Sequence, residues 1–331
     1  MRTLDLFHGA GGSSLGAQAA GARIVAGIDL WSIASDCYRR NFPNAHTINA
    51  DIRDISPQEV HRQIGDINLI IASPECTNHT CAKGGAKRSE ESRLTAFEVV
   101  RFAAEFRPEW IVLENVVHMQ SWHAYSRLIK AFEKLGYQIR VEKLNAMHFG
   151  VPQSRRRLFI ICSLSGIPDE ILLPGGEAVP ACSFIDLNGK YAFSQLYSPR
   201  RALPTLERAT RAMAELGEEE HFLIVYYGSD KKGGWQSVNR PLRTITTLDR
   251  FAYVRPSPNG HMMRMLQPEE LKHAMGFPET FKLESGVRRD KIRLMGNAVC
   301  PPIMQHIISS LIKRKKRENH NFTSTTLSQE F

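Results

Sequence analysis

With 331 residues, 42% of them hydrophobic and 23% charged, the chain has ordinary globular values and length for one large α/β domain plus a smaller one. Six cysteines (Cys37, Cys76, Cys81, Cys162, Cys182, Cys300) without a CxxC pair argue against a disulfide framework, a zinc ribbon or another metal site, and MRTLDLF does not open a signal peptide. A net charge of +9 and the lack of a membrane-length apolar run predict a soluble, cytoplasmic protein with a polyanionic partner and no membrane contact.

Thr3 to Phe7 reads as a short apolar strand, followed by the glycine-rich HGAGGSSLGAQAAG. Glycines at 9, 11 and 12 let backbone approach a ligand, and Ser13 or Ser14 can cap the helix that begins near Leu15. Strand, glycine turn and helix N-terminus make the start of a nucleotide-binding βαβ unit, although Ser14 stands where a third glycine would be. A second strand, Arg23 to Ile28, ends at Asp29, and a third, Thr47 to Ala50, ends at Asp51. Acids at successive strand tips suit a nucleoside-containing cofactor, and capping of the following helices is the alternative.

The fourth strand, Leu69 to Ala72, delivers Cys76 to a polar loop, which suggests a nucleophile. Lys83, Lys87 and Arg88, with Gly84 and Gly85, form a basic loop suited to closing over a phosphate backbone. Leu94 to Phe106 predicts an amphipathic helix, and EWIVLENV a strand ending in Glu114 and Asn115 on the sheet edge that carries Cys76. An acid ending an apolar strand is costly unless it is used or paired. A helix over Tyr125 to Leu135, a strand over Gln138 to Asn145 and a turn and strand in FGVPQSRRRLFIIC follow, with Gln153, Arg155 and Arg157 alternating onto one face. Residues 163–239 lose the alternation of strand and helix and are net acidic. RPLRTITT predicts a fresh strand, MLQPEELKHAMGFPETF a helix, and GNAVCPPIMQ another helix with Pro301 and Pro302 in its first turn.

In this order the motifs resemble the DNA (cytosine-5) methyltransferase family of bacterial or phage modification type, across residues 4–303. LDLFHGAGG is similar to that family's first motif, and ENV, QSRRR, PLRTIT and GNAV follow in its order. The family's Pro-Cys-Gln is replaced by Glu75-Cys76-Thr77, with Pro74 one place early, and Glu75 would raise the thiol's pKa if both face the same way.

The resemblance implies a doubly wound, Rossmann-like S-adenosylmethionine-dependent domain over 1–165 and a target-recognition domain over 166–283. It also implies a helix over 284–318 that returns to the first domain, and residues 319–331 read as a disordered tail. Phe7, Gly9, Gly11, Asp29, Asp51, Pro74, Asn297 and Val299 become the expected cofactor positions. Cys76 becomes the expected nucleophile, Glu114 the carboxyl group at ring N3 and Arg155 the partner of the base's carbonyl oxygen, with Arg157 beside it. Expected DNA contacts are Lys83, Lys87, Arg88, Gln153, Arg240, Arg243 and Arg250, with base reading near Lys232 and Gln236. The expected partner is double-stranded DNA, met by a monomer alongside a cognate restriction endonuclease. Methylation of RNA cytosine, or a regulatory DNA-binding homologue without catalysis, remains as an alternative.

Overall fold

The computed structural model of the chain describes residues 1–75, 90–187, 189–228 and 234–327, with side chains as far as 317. The expectations for Cys76, Lys83, Lys87, Arg88 and Lys232 lie outside the described residues. The chain divides into two compact units. The first comprises Met1–Asn145, Arg156–Gly175 and Ala298–Phe331, and the second Ala146–Arg155 and Gly176–Asn297.

The first unit is built on a sheet in which β1 (Arg2–Leu6), β2 (Arg23–Asp29), β3 (His46–Asn49), β4 (Leu69–Ala72) and β5 (Trp110–Asn115) run parallel. A hairpin of β6 (Gln138–Asn145) and β7 (Arg156–Ser163) completes it, β7 lying antiparallel to β5. The order is β3-β2-β1-β4-β5-β7-β6, so the chain winds outward both ways from the β1/β4 pair. Every residue of β4 and β5 is buried, which is why LIIA and WIVL read as unbroken apolar runs. Helices α1 (Gly12–Ala19), α2 (Ser32–Asn41), α3 (Pro57–Ile64), α4 (Glu90–Leu94), α5 (Ala96–Phe106) and α6 (Tyr125–Lys134) belong to this unit. Val99, Phe102, Ala103 and Phe106 recur at helical spacing and give α5 the apolar stripe that enters the core. The sequence predicts one helix from Leu94, whereas α4 and α5 are separate, with Thr95 between them.

The second unit carries an antiparallel sheet in the order β10-β9-β11-β12-β8. Its strands are β8 (Ser194–Gln195), β9 (Phe222–Val225), β10 (Trp235–Ser237), β11 (Phe251–Arg255) and β12 (Met262–Met265). Helix α7 (Leu203–Leu216) lays Ala209 and Ala212 into one core with Phe222, Ile224, Ala252 and Val254. Helices α8 (Pro268–Ala274) and α9 (Arg288–Asn297) complete it. Buried Arg264 on β12 gives two parallel hydrogen bonds to Glu270 of α8 (2.8 and 2.7 Å), and its guanidinium carbon lies 5.0–5.3 Å from the ring centroids of Tyr191, Phe193 and Tyr253.

These units are bounded differently from the expected domains. Residues 146–155 join the second unit because Leu242 N donates to Pro152 O (2.9 Å) and Ser154 N to Leu242 O (2.7 Å). Helix α9 joins it too, where Arg288 reaches Asp249 (2.8 Å) and Leu266 O (2.8 Å). The last helix, α10 (Pro301–Leu327), is in the first unit and continues into the stretch expected to be a tail. It lies hard against α1, where a Cβ at Gly16 would fall 2.3 Å from Pro301 O and 2.8 Å from Met304 Cβ.

The strand predicted in RPLRTITT does not form. Leu242 makes a single bridge to Gln153, and the rest of that segment joins no strand ladder.

Candidate active site

Parallel winding from a central pair leaves a crevice at the carboxyl ends of β1 and β4, where ligands of open α/β sheets bind. Polar residues of the first unit gather at that sheet edge. Beyond β1, Phe7 has φ 61°, a left-handed backbone that a bulky side chain rarely adopts, so the turn imposes strain of the kind kept at functional sites. Gly11 (φ 90°) tolerates no side chain, since a Cβ there would lie 2.4 Å from Phe42 Cε2. Gly11 is the N-cap of α1 and no side chain caps the helix, which leaves its first-turn N–H groups without a side-chain acceptor there. Ser14, expected as a cap, instead donates to Asp5 Oδ2 (2.6 Å).

Asp29 ends β2 and ties the turn together. Its Oδ2 accepts from Gly9 N (2.9 Å) and its Oδ1 from Trp31 N (2.8 Å), while the neighbouring Leu30 is 67% exposed. Asp51 caps the short helix at 52–54 by accepting from Arg53 N (3.0 Å). It also meets the Arg53 side chain at 2.6 Å, and those hydrogen bonds hold its carboxyl below the usual carboxylate range. Arg53 reaches Glu91 on α4 as well.

At the ends of β4 and β5 the arrangement is tighter. Glu114, 5% exposed, receives Arg157 Nε at 3.0 Å. Antiparallel pairing brings the start of β7 beside the end of β5, Glu114 opposite Phe159 and Asn115 opposite Leu158. Asn115 Nδ2 donates to Pro74 O (3.0 Å), which fixes the chain as it leaves β4. Glu75 accepts a hydrogen bond from the Ser92 hydroxyl of α4.

The predicted alternation of Gln153, Arg155 and Arg157 onto one face does not hold. Arg157 lies on β7 in the first unit, whereas Gln153 and Arg155 belong to the second. Arg155, expected at the base's carbonyl oxygen, is 1% exposed and donates to Ile245 O (2.8 Å) and Gly296 O (2.7 Å). Gln153, expected on DNA, is fully buried, accepting from Ile245 N (2.9 Å) and donating to Ala274 O (3.1 Å). Gln236, expected to read bases, is 6% exposed, accepts from Arg243 N (3.0 Å) and donates to Pro241 O (3.3 Å). All three satisfy backbone groups of the unladdered segment 241–246, a task that buried main chain makes obligatory. Gly296 is required beside them, because a Cβ would fall 2.3 Å from Thr246 O.

Of the other expected residues, Pro74 and Val299 are buried and Asn297 and Arg240 exposed. Arg243 donates to Trp235 O (3.1 Å) and Arg250 to Tyr226 O (3.1 Å), both half-buried. Sequence reasoning missed the Glu114–Arg157 pair and the Asn115–Pro74 tether. An acid and an amide closing the apolar run of β5 were its only signal.

The family model described as C-5 cytosine-specific DNA methylase matches residues 1–313. Type II methyltransferase M1.HphI of Haemophilus parahaemolyticus is 28% identical over 95% of this chain and 87% of its own length. Type II methyltransferase M.DdeI of Desulfomicrobium norvegicum is 35% identical over 77% of this chain and 61% of its own. Among solved structures, the S. pombe Dnmt2 methyltransferase superposes with a TM-score of 0.69 at 18% identity, covering 95% of this chain and 98% of that one. The Entamoeba histolytica methyltransferase EhMeth does so with a TM-score of 0.67 at 15% identity, over 95% and 98%. At these identities the two structures speak to fold alone.

Proposed function

The chain belongs to the C-5 cytosine-specific DNA methylase family and is a DNA cytosine-5 methyltransferase using S-adenosylmethionine, and from that premise we propose a covalent mechanism carried by Cys76, Glu114 and Arg157. It modifies one cytosine within a specific duplex sequence, as the modification partner of a type II restriction endonuclease.

The residues at the glycine turn fit the cofactor. Ser13 Oγ and His8 Nε2 are buried polar atoms without protein partners among the described residues, beside the uncapped start of α1. That helix start would hold the cofactor's carboxylate. Asp29 would hold the ribose hydroxyls, Leu30 would cover the adenine, and Phe7 and Gly9 would let the loop approach. Asp51 would accept from the adenine edge, with Val299 closing the methionine end. The cofactor supplies a methyl group made electrophilic by its sulfonium sulfur.

Carbon-5 of cytosine is too weak a nucleophile to take that group unaided. Cys76 Sγ, as thiolate, forms a bond to carbon-6, and the electron pair of the 5,6 double bond moves to carbon-5. Glu114 shares a proton with ring N3 as charge develops, and Arg157 hydrogen-bonds the ring's carbonyl oxygen while its Nε orients Glu114. Carbon-5 would take the methyl group as that group's bond to the sulfonium sulfur breaks and leaves a neutral thioether; a base would then remove the carbon-5 proton, and the bond from carbon-6 to Cys76 Sγ would break to restore the thiolate. Reaching the thiol requires the cytosine to leave the stack, at a cost of roughly a few kcal/mol. Arg240, Arg243 and Arg250 are the proposed phosphate contacts of the second unit, and Lys83, Lys87 and Arg88 those of the loop after Cys76.

The observation that carries this reading is the Glu114–Arg157 pair on the sheet edge where β4 hands the chain to Cys76, with Asn115 fixing Pro74 between them. The test is trapping. Duplex DNA containing 5-fluorocytosine should give a denaturation-resistant adduct with the parent and none with Cys76→Ser, while Cys81→Ser stays active. Substantial turnover by Cys76→Ser would sink the nucleophile, and transfer to tRNA in preference to duplex DNA would sink the substrate.

A further inference from the structure

Beneath the glycine turn lies a buried polar cluster that this mechanism does not use. Asp5 sits in the middle of apolar β1 at 0% exposure. Its Oδ2 accepts from Ser14 Oγ of α1 (2.6 Å), and that same Oγ lies 2.7 Å from Tyr38 Oη of α2. Tyr38 is fully buried, and room has been made for its ring on two sides. A Cβ at Gly27 would fall 2.7 Å from Tyr38 Cζ, and one at Gly11 3.0 Å from Tyr38 Cδ2. On a further side His8 stacks on it, centroids 4.0 Å apart. The His8 ring donates through Nδ1 to Gly9 O (2.9 Å). The Tyr38 ring is therefore the floor under His8 to Gly11, and among the described residues its hydroxyl reaches the strand through Ser14.

We infer that Asp5, Ser14 and Tyr38 act as one hydrogen-bonded chain that positions the glycine turn for S-adenosylmethionine. The direction of the chain follows from its donors. Ser14 O–H donates to Asp5 Oδ2, which leaves Ser14 Oγ to accept from Tyr38 O–H, so each hydroxyl gives one proton and the carboxyl oxygen ends the sequence. Burial is the largest influence on Asp5 and pushes its carboxyl up to about 8, the Ser14 hydroxyl opposing and nearby Asp29 adding to the rise. Tyr38 is also held well above its ordinary value by burial and by Asp5, and His8 is held low by burial. These three residues are positioning residues and touch no reacting atom. The inference rests on the reading that this turn holds the cofactor.

The test is a double-variant cycle on the full chain, measuring Kd and KM for S-adenosylmethionine, kcat and KM for DNA. Tyr38→Phe keeps the ring and removes only the hydroxyl, so it avoids a cavity. It and Ser14→Ala should each weaken the cofactor about three- to tenfold, the worth of one net hydrogen bond, with kcat at saturating cofactor and KM for DNA unchanged. The double variant should be no weaker than the worse single one, because either break uncouples the chain. Full additivity, unchanged cofactor affinity in Tyr38→Phe, or equal loss in kcat and DNA binding would each overturn the inference. Asp29→Ala separates the two levels. If it weakens the cofactor while Tyr38→Phe and Ser14→Ala do not, this inference fails and the cofactor site stands. If none of the three matters, the site itself is misassigned.

Discussion

Glu114 in the first unit and Gln153 in the second are both polar, both buried and both part of the motif order that marks the family, yet they are engaged in opposite ways. Glu114 ends a strand laddered to its neighbour, and its carboxyl meets a side chain, Arg157. Gln153 lies beside a segment that has no ladder, and both ends of its amide are occupied by main chain, at Ile245 N and Ala274 O. Arg155 and Gln236 share that condition. The lesson is that a motif residue's chemistry depends on whether its surrounding backbone is already satisfied. Glu114, at the end of a complete strand, meets a side chain, whereas polar groups beside irregular buried backbone serve the backbone.

Each side of this contrast can be broken separately. The largest effect should come from Glu114→Gln, which keeps the shape and removes the acid. We expect kcat lower by about 10²–10⁴-fold, the usual worth of a positioned acid, with an unchanged melting temperature. A variant that instead melts early would move Glu114 to the structural side. Arg155→Ala should do the reverse, leaving the buried carbonyls of Ile245 and Gly296 without their donor. About 2–4 kcal/mol of stability should be lost on denaturant melting. Unchanged stability with abolished transfer would return Arg155 to the base. Asp29→Ala probes the crevice more gently, with roughly 1.5–3 kcal/mol lost from cofactor binding by calorimetry, the scale of a charged hydrogen bond. No change would leave Asp29 only its ties to Gly9 and Trp31.

The smallest expected effect is a pH dependence that belongs to neither class. His61 on α3 lies 2.9 Å from Asp66 and 2.8 Å from Glu105, and hydrogen bonds to these two, Asp66 first, raise it above its ordinary 6.5. A histidine raised on folding contributes stability that is fully present below the unfolded value and is lost as pH climbs through the folded one. From pH 6.5 upward the parent should therefore lose more thermal stability than His61→Gln. Parallel pH profiles for the two proteins would remove this contribution.

Much of the first unit was legible because parallel strands buried on both faces write continuous apolar runs, and β2 and β4 fall within a residue of where those runs begin and end. Asp29, Glu114 and Asn115 were legible for the same reason, as polar residues that stop such runs. The segment 241–246 was not. RTIT carries a strand's composition, but its backbone partners are side chains more than eighty residues away in sequence for Gln153 and Arg155, which no local pattern reports. Asp5 escaped notice for a related reason: inside LDLF it reads as an interruption, and its partner Ser14 and Ser14's own partner Tyr38 come from two different helices.

The fit of α10 against α1 ties the glycine turn to the order of synthesis. Gly16 stands on α1, and the backbone that covers it, at Pro301, is made only after the residues of the second unit. As the protein leaves the ribosome, β1 through β5 can pair early, but the helix behind the glycine turn keeps a bare face until the second unit has been made in full. A nascent chain is thus unable to present a finished glycine turn before its second unit exists. Premature termination anywhere before α10 would yield a species with an exposed apolar helix face, fit for quality control and unfit for methylation.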